Sequence, residues 1–193
     1  MLHSLLSLDE EYALIVEVQV RHGPEAFRAL YRHYFPRVFA YVAYRVSTKQ
    51  DAEDLTSDIF TKVVGSMQRF EYRGEGSFAA WMFRIAYNTV TEFYRGDGRY
   101  DTAVLGTLPE IASADLLPDE AFVRKERFAR LQALISTLTP RRREIVTLRF
   151  FGGLRNQDIA ALLNLDERTV ASHLCRALED LQHKFQEEGV VDE

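Results

Sequence analysis

The 193-residue chain has one cysteine, five prolines and five histidines. Cys175 has no partner for an internal disulfide and no second thiol for a two-cysteine metal or redox motif, which suits a reducing cytoplasm. His3, His22, His33, His173 and His183 show no metal-ligand spacing, so no metal site is expected. Long apolar runs are missing too. Stretches such as 12–16 are only a few residues long, far short of the roughly 20 that a membrane-spanning helix needs. Residues 1–8 lack the basic start and apolar stretch of a secretory signal. The glycine-containing loop at 74–76 lacks the Gly-Lys-Ser/Thr ending of a phosphate-binding loop. These absences point away from a secreted scaffold, a membrane protein and a metal- or nucleotide-dependent enzyme. No catalysis and no cofactor are expected.

What is present suits a soluble chain with cores: 47% of residues are hydrophobic and 27% charged. The net charge is -5, from 24 basic and 29 acidic residues, and that sum argues against a nucleic-acid binder. Placement matters more than the sum. Residues 97–120 hold one arginine (Arg99) and six acids: Asp97, Asp101, Glu110, Asp115, Asp119 and Glu120. Four further acids, Glu187, Glu188, Asp192 and Glu193, lie at the C-terminal end. Between them, residues 121–186 carry 12 basic and 7 acidic residues. The C-terminal body is basic.

Gly96, Gly98, Gly106, Pro109 and Pro118 punctuate the acidic stretch, where neither a helical nor a strand period persists. It reads as an extended tether at 97–120 between two small bodies, 1–96 and 121–193. In the first body, Leu14, Ile15 and Val18, then Phe27, Leu30, Tyr31, Tyr34 and Phe35, recur at helical spacing. Pro24 suits a first helical turn after Gly23, and Pro36 should bend or interrupt that helix. Thr48 is placed to cap a third helix with Leu55, Ile59, Phe60, Val63 and Val64 on one side. Its first turn is acidic (Asp51, Glu53, Asp54), as the helix dipole favours. Ser77 should cap a fourth helix, with Phe78, Trp81, Met82, Ile85 and Thr89 on one stripe. No strand pattern competes, so the fold class is all-α.

The second body should contain helices over 122–138, from Pro140 to about Phe151, over 156–163, and one capped by Asp166 with Val170, Leu174, Ala177, Leu178 and Leu181 inward. Asn164 and Leu165 make a tight turn, since asparagine tolerates a left-handed backbone. A short helix, a tight turn and a longer helix form a helix-turn-helix. Its second helix would present Glu167, Arg168, Ala171, Ser172, Cys175 and Arg176 outward, where such helices read base edges. Aromatics concentrate earlier: residues 70–94 hold eight of the 23. Trp81 and Phe78 suit core packing. Phe70 and Tyr72, in a loop with Arg73, Gly74 and Gly76, suit stacking or pocketing an unpaired base. Arg84, Asn88 and Thr91 lie on the polar side of the helix that follows, where they could meet base edges or phosphates.

Three stretches, 51–55 (DAEDL), 70–88 (FEYRGEGSFAAWMFRIAYN) and 138–181, resemble in order and spacing the extracytoplasmic-function (ECF) group of bacterial sigma factors, of the sigma-70 family. The likeness spans roughly residues 10–185. It implies two helical domains, sigma domain 2 and a helix-turn-helix sigma domain 4, joined by a linker threaded through the polymerase cleft. The resemblance implies that Asp51, Glu53, Asp54, Leu55, Asp58 and Ile59 dock core RNA polymerase at the clamp helices of its largest subunit. It further implies contact of domain 4 with the flap of the second subunit. Phe70, Tyr72, Arg73, Gly74, Ser77, Phe78, Trp81, Arg84 and Asn88 would capture unpaired bases of the −10 promoter element. Arg168, Thr169, Ser172, His173 and Arg176 would read the −35 element. An anti-sigma factor is a further expected partner. Ala171 and His173 stand where the family commonly has a basic residue, Cys175 where it often has histidine, and Ser57 where glutamine is common. The other reading of the residues is a stand-alone helix-turn-helix regulator whose first body binds an effector or partner.

Overall fold

The computed structural model describes residues 6–96, 130–131 and 133–190, and among these every regular element is helical. The first body comprises α1 (Leu8–Arg21), α2 (Pro24–Ala43), α3 (Lys49–Ser66), a 3-10 turn (Met67–Arg69) and α4 (Ser77–Gly96). Each start has a local cause. Ser7 opens α1 with a reciprocal cap: its hydroxyl accepts from the Glu10 N–H at 3.3 Å, and its own N–H donates to the Glu10 carboxylate at 2.9 Å. Pro24 stands in the first turn of α2, where its missing N–H costs nothing. The Thr48 hydroxyl accepts from the Asp51 N–H at 3.0 Å and caps α3 as expected.

Two local expectations are narrowed. Of the bend or interruption expected at Pro36, the interruption does not occur: α2 runs on through it. An interior proline costs a helix about 3 kcal/mol. Tyr34, Val38 and Phe39 are buried on the flanking turns, each contributing about 1.5–3 kcal/mol, so burial outweighs the lost hydrogen bond. Ser77 is the first residue of α4, and its hydroxyl serves the preceding loop, donating to the Gly74 carbonyl at 2.6 Å.

The four helices pack in chain order, α1 on α2, α2 on α3 and α3 on α4. Ile15, Leu30, Tyr34, Tyr41, Ile59, Phe78 and Phe83 fill the core. The second body comprises α5 (Pro140–Phe150), α6 (Asn156–Leu163) and α7 (Glu167–Val190) around Ile145, Leu148, Leu154, Ile159, Val170 and Ala177. Asn164 takes a left-handed backbone (φ 53°, ψ 53°) and reverses the chain between α6 and α7, completing the helix-turn-helix. Of the helix expected over 122–138, residues 130–131 and 133–136 are helical; the expected tether at 97–120 and residues 121–129 lie outside the described residues.

The two bodies touch through side chains that periodicity does not connect. The buried Tyr41 hydroxyl of α2 donates to the Glu144 carboxylate of α5 at 2.9 Å. Arg45, two residues past the end of α2, forms an ion pair with the other oxygen of that carboxylate. Arg37 donates to the backbone carbonyls of Phe151, at 3.1 Å, and Gly152. The Tyr44 and Phe151 rings stack with centroids 4.8 Å apart. Gly153 has φ 62°, a backbone that favours glycine, and a Cβ there would lie 2.6 Å from the Arg37 guanidinium, which would have to shift. Burial pushes the Tyr41 hydroxyl up to about 12.

Candidate nucleic-acid interface

The segment joining the 3-10 turn to α4 is a built loop. Gly74 (φ 95°) and Gly76 (φ 77°) hold backbone conformations closed to most side chains. The Ser77 hydroxyl, besides donating to Gly74, accepts from the Arg73 N–H at 3.2 Å, so one side chain closes the loop on itself. Arg73 points outward, its ion pair with Glu71 at 2.9 Å being largely solvent-exposed. Such an exposed pair contributes little to stability and yields easily to a phosphate.

Phe70 does not belong to this exposed loop. It is 7% exposed, with its ring 4.9 Å from Trp81 and 5.2 Å from Phe78. Phe78 is buried as well. Neither can stack a base; together they form the floor on which the loop and Trp81 rest. For both residues this replaces the base-contacting expectation; the burial of Phe78 is the core packing that its place on the apolar stripe predicts, and Phe70 joins it because an aromatic ring removes a large apolar area from water in a core. Tyr72 and Trp81 remain half-buried, while Arg73, Arg84 and Asn88 are exposed. Arg84 and Asn88, four apart, share one face of α4.

Facing the loop across a cleft of about 530 Å3 stands the second body. Arg69, Arg73, Trp81 and Arg84 line one side; Arg155 and Leu162 of the second body line the other. Four guanidinium groups in one cleft make it a cationic surface, tempered by Glu71 and Asp158. Arg155 is held by Asp158 at 2.9 Å.

In the helix-turn-helix, Val170 and Ala177 are buried. Arg168, Ser172 and Arg176, spaced by four, therefore form an exposed line along α7, with Thr169 and His173 half-buried beside it. The arrangement suits a helix laid into a major groove. Cys175 is exposed on the same helix, and its thiol donates to Glu179 at 3.2 Å. That bond to a carboxylate holds the thiol above its ordinary range, opposite to what a reactive thiolate requires.

Helix α3 presents Glu53, Asp54, Ser57 and Asp58 to solvent, with Asp51 half-buried at its start. Gln50 donates to both oxygens of Asp54 at 3.0 Å, and Lys62 pairs with Asp58 at 3.1 Å. Leu55 and Ile59, named with these acids, are buried in the body's own core, so they position the helix and have no surface to offer a partner. Sequence reasoning missed what lies beside the acids. Phe27, Tyr31, Phe35, Phe60 and Val64 line an apolar groove of about 350 Å3 between α2 and α3, with Val64 53% exposed. Helical spacing marked these residues as apolar without saying that the stripe is wider than the core needs.

Among the described residues, no helix is long and apolar enough to cross a membrane.

The architecture is that of a two-body helical promoter reader, and comparison with known proteins agrees. The family model for "Sigma-70 region 2" matches residues 30–100, and that for "Sigma-70, region 4" matches residues 128–181; α1 precedes both. The chain is 30% identical over 182 residues to the ECF RNA polymerase sigma factor BldN of Streptomyces coelicolor, covering 93% of this chain and 69% of that one. It is 28% identical over 185 residues to the ECF RNA polymerase sigma-E factor of Escherichia coli, covering 90% and 93%. The fold is shared with CnrH, solved in complex with the cytosolic domain of CnrY (TM-score 0.64, 20% identity, 92% of this chain and 98% of that one). It is shared also with RpoE of Bartonella quintana, solved with the anti-sigma factor NepR (TM-score 0.64, 22% identity, 83% and 96%). The chain belongs to the sigma-70 family and is an ECF RNA polymerase sigma factor.

Proposed function

We propose that the chain works without catalysis of its own, in the cytoplasm, by dividing promoter recognition between its two bodies. The exposed acids Glu53, Asp54 and Asp58, with half-buried Asp51 and the apolar groove beside them, dock the clamp helices of core polymerase; complementary charge orients the encounter and the groove supplies buried area. The loop of Tyr72, Arg73, Gly74 and Ser77, with Trp81, Arg84 and Asn88 behind it, captures unpaired bases of the −10 element. Arg168, Thr169, Ser172, His173 and Arg176 of α7 contact the −35 element. The observation that most supports this division is the self-closed, glycine-bent loop beside the exposed Arg84 and Asn88, a device a simple repressor has no use for.

Because RpoE was solved with the anti-sigma factor NepR, and CnrH with the cytosolic domain of CnrY, an anti-sigma factor is proposed as a partner here too. The test is reconstitution. Core polymerase plus this protein should give run-off transcripts from promoters mapped after its overexpression. Specific duplex binding without core polymerase, and no initiation with it, would sink the proposal.

A further inference from the structure

The base-capturing loop does not stand alone. Tyr12, near the start of α1 and 50% exposed, brings its ring centroid to 4.9 Å from that of Tyr72, at 47° between planes. Two turns further along α1, the Gln19 side-chain amide donates to the carbonyls of Met67, at 2.9 Å, and Phe70, at 2.7 Å. Those carbonyls bracket the turn that leads into the loop. Gln68 returns the contact, donating to the Gln19 carbonyl at 3.0 Å. Tyr12 and Gln19 are seven residues apart, and so share one face of α1 with Ile15, which is buried against the body. The Ser7–Glu10 cap fixes the helix start one turn before Tyr12.

From this geometry we infer that α1 seats the −10 loop, with Tyr12 and Gln19 as positioning residues that hold Tyr72 in its base-stacking attitude. The inference rests on the proposed base-capture role of the loop. Gln19 fixes the loop's approach through two carbonyls. Tyr12, tilted against the Tyr72 ring, then braces it from the α1 side while Tyr72 meets the unpaired base. A ring pair of this kind shifts an equilibrium by about 2- to 12-fold. Ordering the loop beforehand removes that cost from the capture step.

The test uses full-length variants reconstituted with core polymerase on a mapped promoter, reading open-complex formation by permanganate reactivity of the −10 thymines. Tyr12→Ala should lower the open-complex equilibrium constant by about 2- to 12-fold, whereas Tyr12→Phe, which keeps the ring, should open like the native protein. Affinity for core polymerase and for −35 duplex should be unchanged in both. Tyr12→Ala combined with Tyr72→Ala should be no worse than Tyr72→Ala alone, because the first residue acts through the second. Native-like opening by Tyr12→Ala overturns the inference even where Tyr72→Ala is defective, and the base-capture reading then survives. Additive defects overturn it as well. A silent Tyr72→Ala overturns both the inference and the base-capture reading.

Discussion

The contact between the two bodies can be dissected by a double-mutant cycle on Arg45 and Glu144. The side chains of this pair are 17% and 9% exposed, and the carboxylate also accepts from the fully buried Tyr41. Removing one partner of a fully buried pair costs about 3–5 kcal/mol, since a charge is left in low dielectric. Arg45 retains some solvent, which lowers the expected figure to about 2–3 kcal/mol. A second limit applies. If the bodies separate, Arg45 and Tyr41 regain water, so the loss cannot exceed the free energy that holds the bodies together. Glu144→Gln keeps the shape and an acceptor for Tyr41 but removes the charge; Arg45→Met removes the other charge and keeps much of the apolar stem. Urea unfolding of the full chain, followed by circular dichroism for the native protein, both single variants and the double variant, gives the coupling. About 1.5–3 kcal/mol is expected, as for hydrogen bonds to charged groups, with weak dependence on salt because the pair is largely shielded from solvent. Additivity within about 0.5 kcal/mol would refute the contact.

Gly153→Ala places a Cβ at φ 62° and against the Arg37 guanidinium, and should cost about 1–3 kcal/mol by the same urea assay; a loss under about 0.5 kcal/mol would show that the Arg37 contact is dispensable. Alkaline pH should destabilise the fold. Tyr41 is pushed up to about 12, and Tyr34 and Tyr44 are also raised by burial, so the folded state holds these protons more tightly than the unfolded chain. Their contribution is whole below pH 10 and should be lost progressively as pH rises from 10 through about 12, where Tyr41 titrates, measured as the urea midpoint against pH; a midpoint unchanged over that range would refute it. Asp54→Ala should weaken binding to core polymerase in a pull-down titration while changing stability by about 0.5 kcal/mol or less, because the side chain is exposed. Arg176→Ala should lower the affinity of holoenzyme for −35 duplex; with a lost phosphate contact, the salt slope should fall by about 1, and an unchanged affinity would remove Arg176 from the interface.

The local features of this chain were readable from its residues because their causes are local. A 3.6-residue apolar period, a threonine cap at Thr48, an asparagine able to take φ 53° at Asn164, and glycines at 74 and 76 each act within one or two turns. They determined the helices, the helix-turn-helix and the bent loop, and segmental charge showed that a net of -5 does not exclude DNA binding. Tertiary structure alone decided that Phe70 joins Phe78 in the core while Tyr72 stays half-buried. Phe70 and Tyr72, two residues apart, have opposite fates because Phe78 and Trp81 close over one of them. It also decided that Tyr12 meets Tyr72, that Gln19 meets Met67 and Phe70, and that Glu144 meets Arg45 and Tyr41. These partners are roughly 50 to 100 positions apart in the chain. Hydrophobic periodicity says which face of a helix leaves water but not which other face it meets, because burial is non-directional. The pairing is set by shape and by the need to satisfy each buried polar group, and those conditions exist only once the helices are packed.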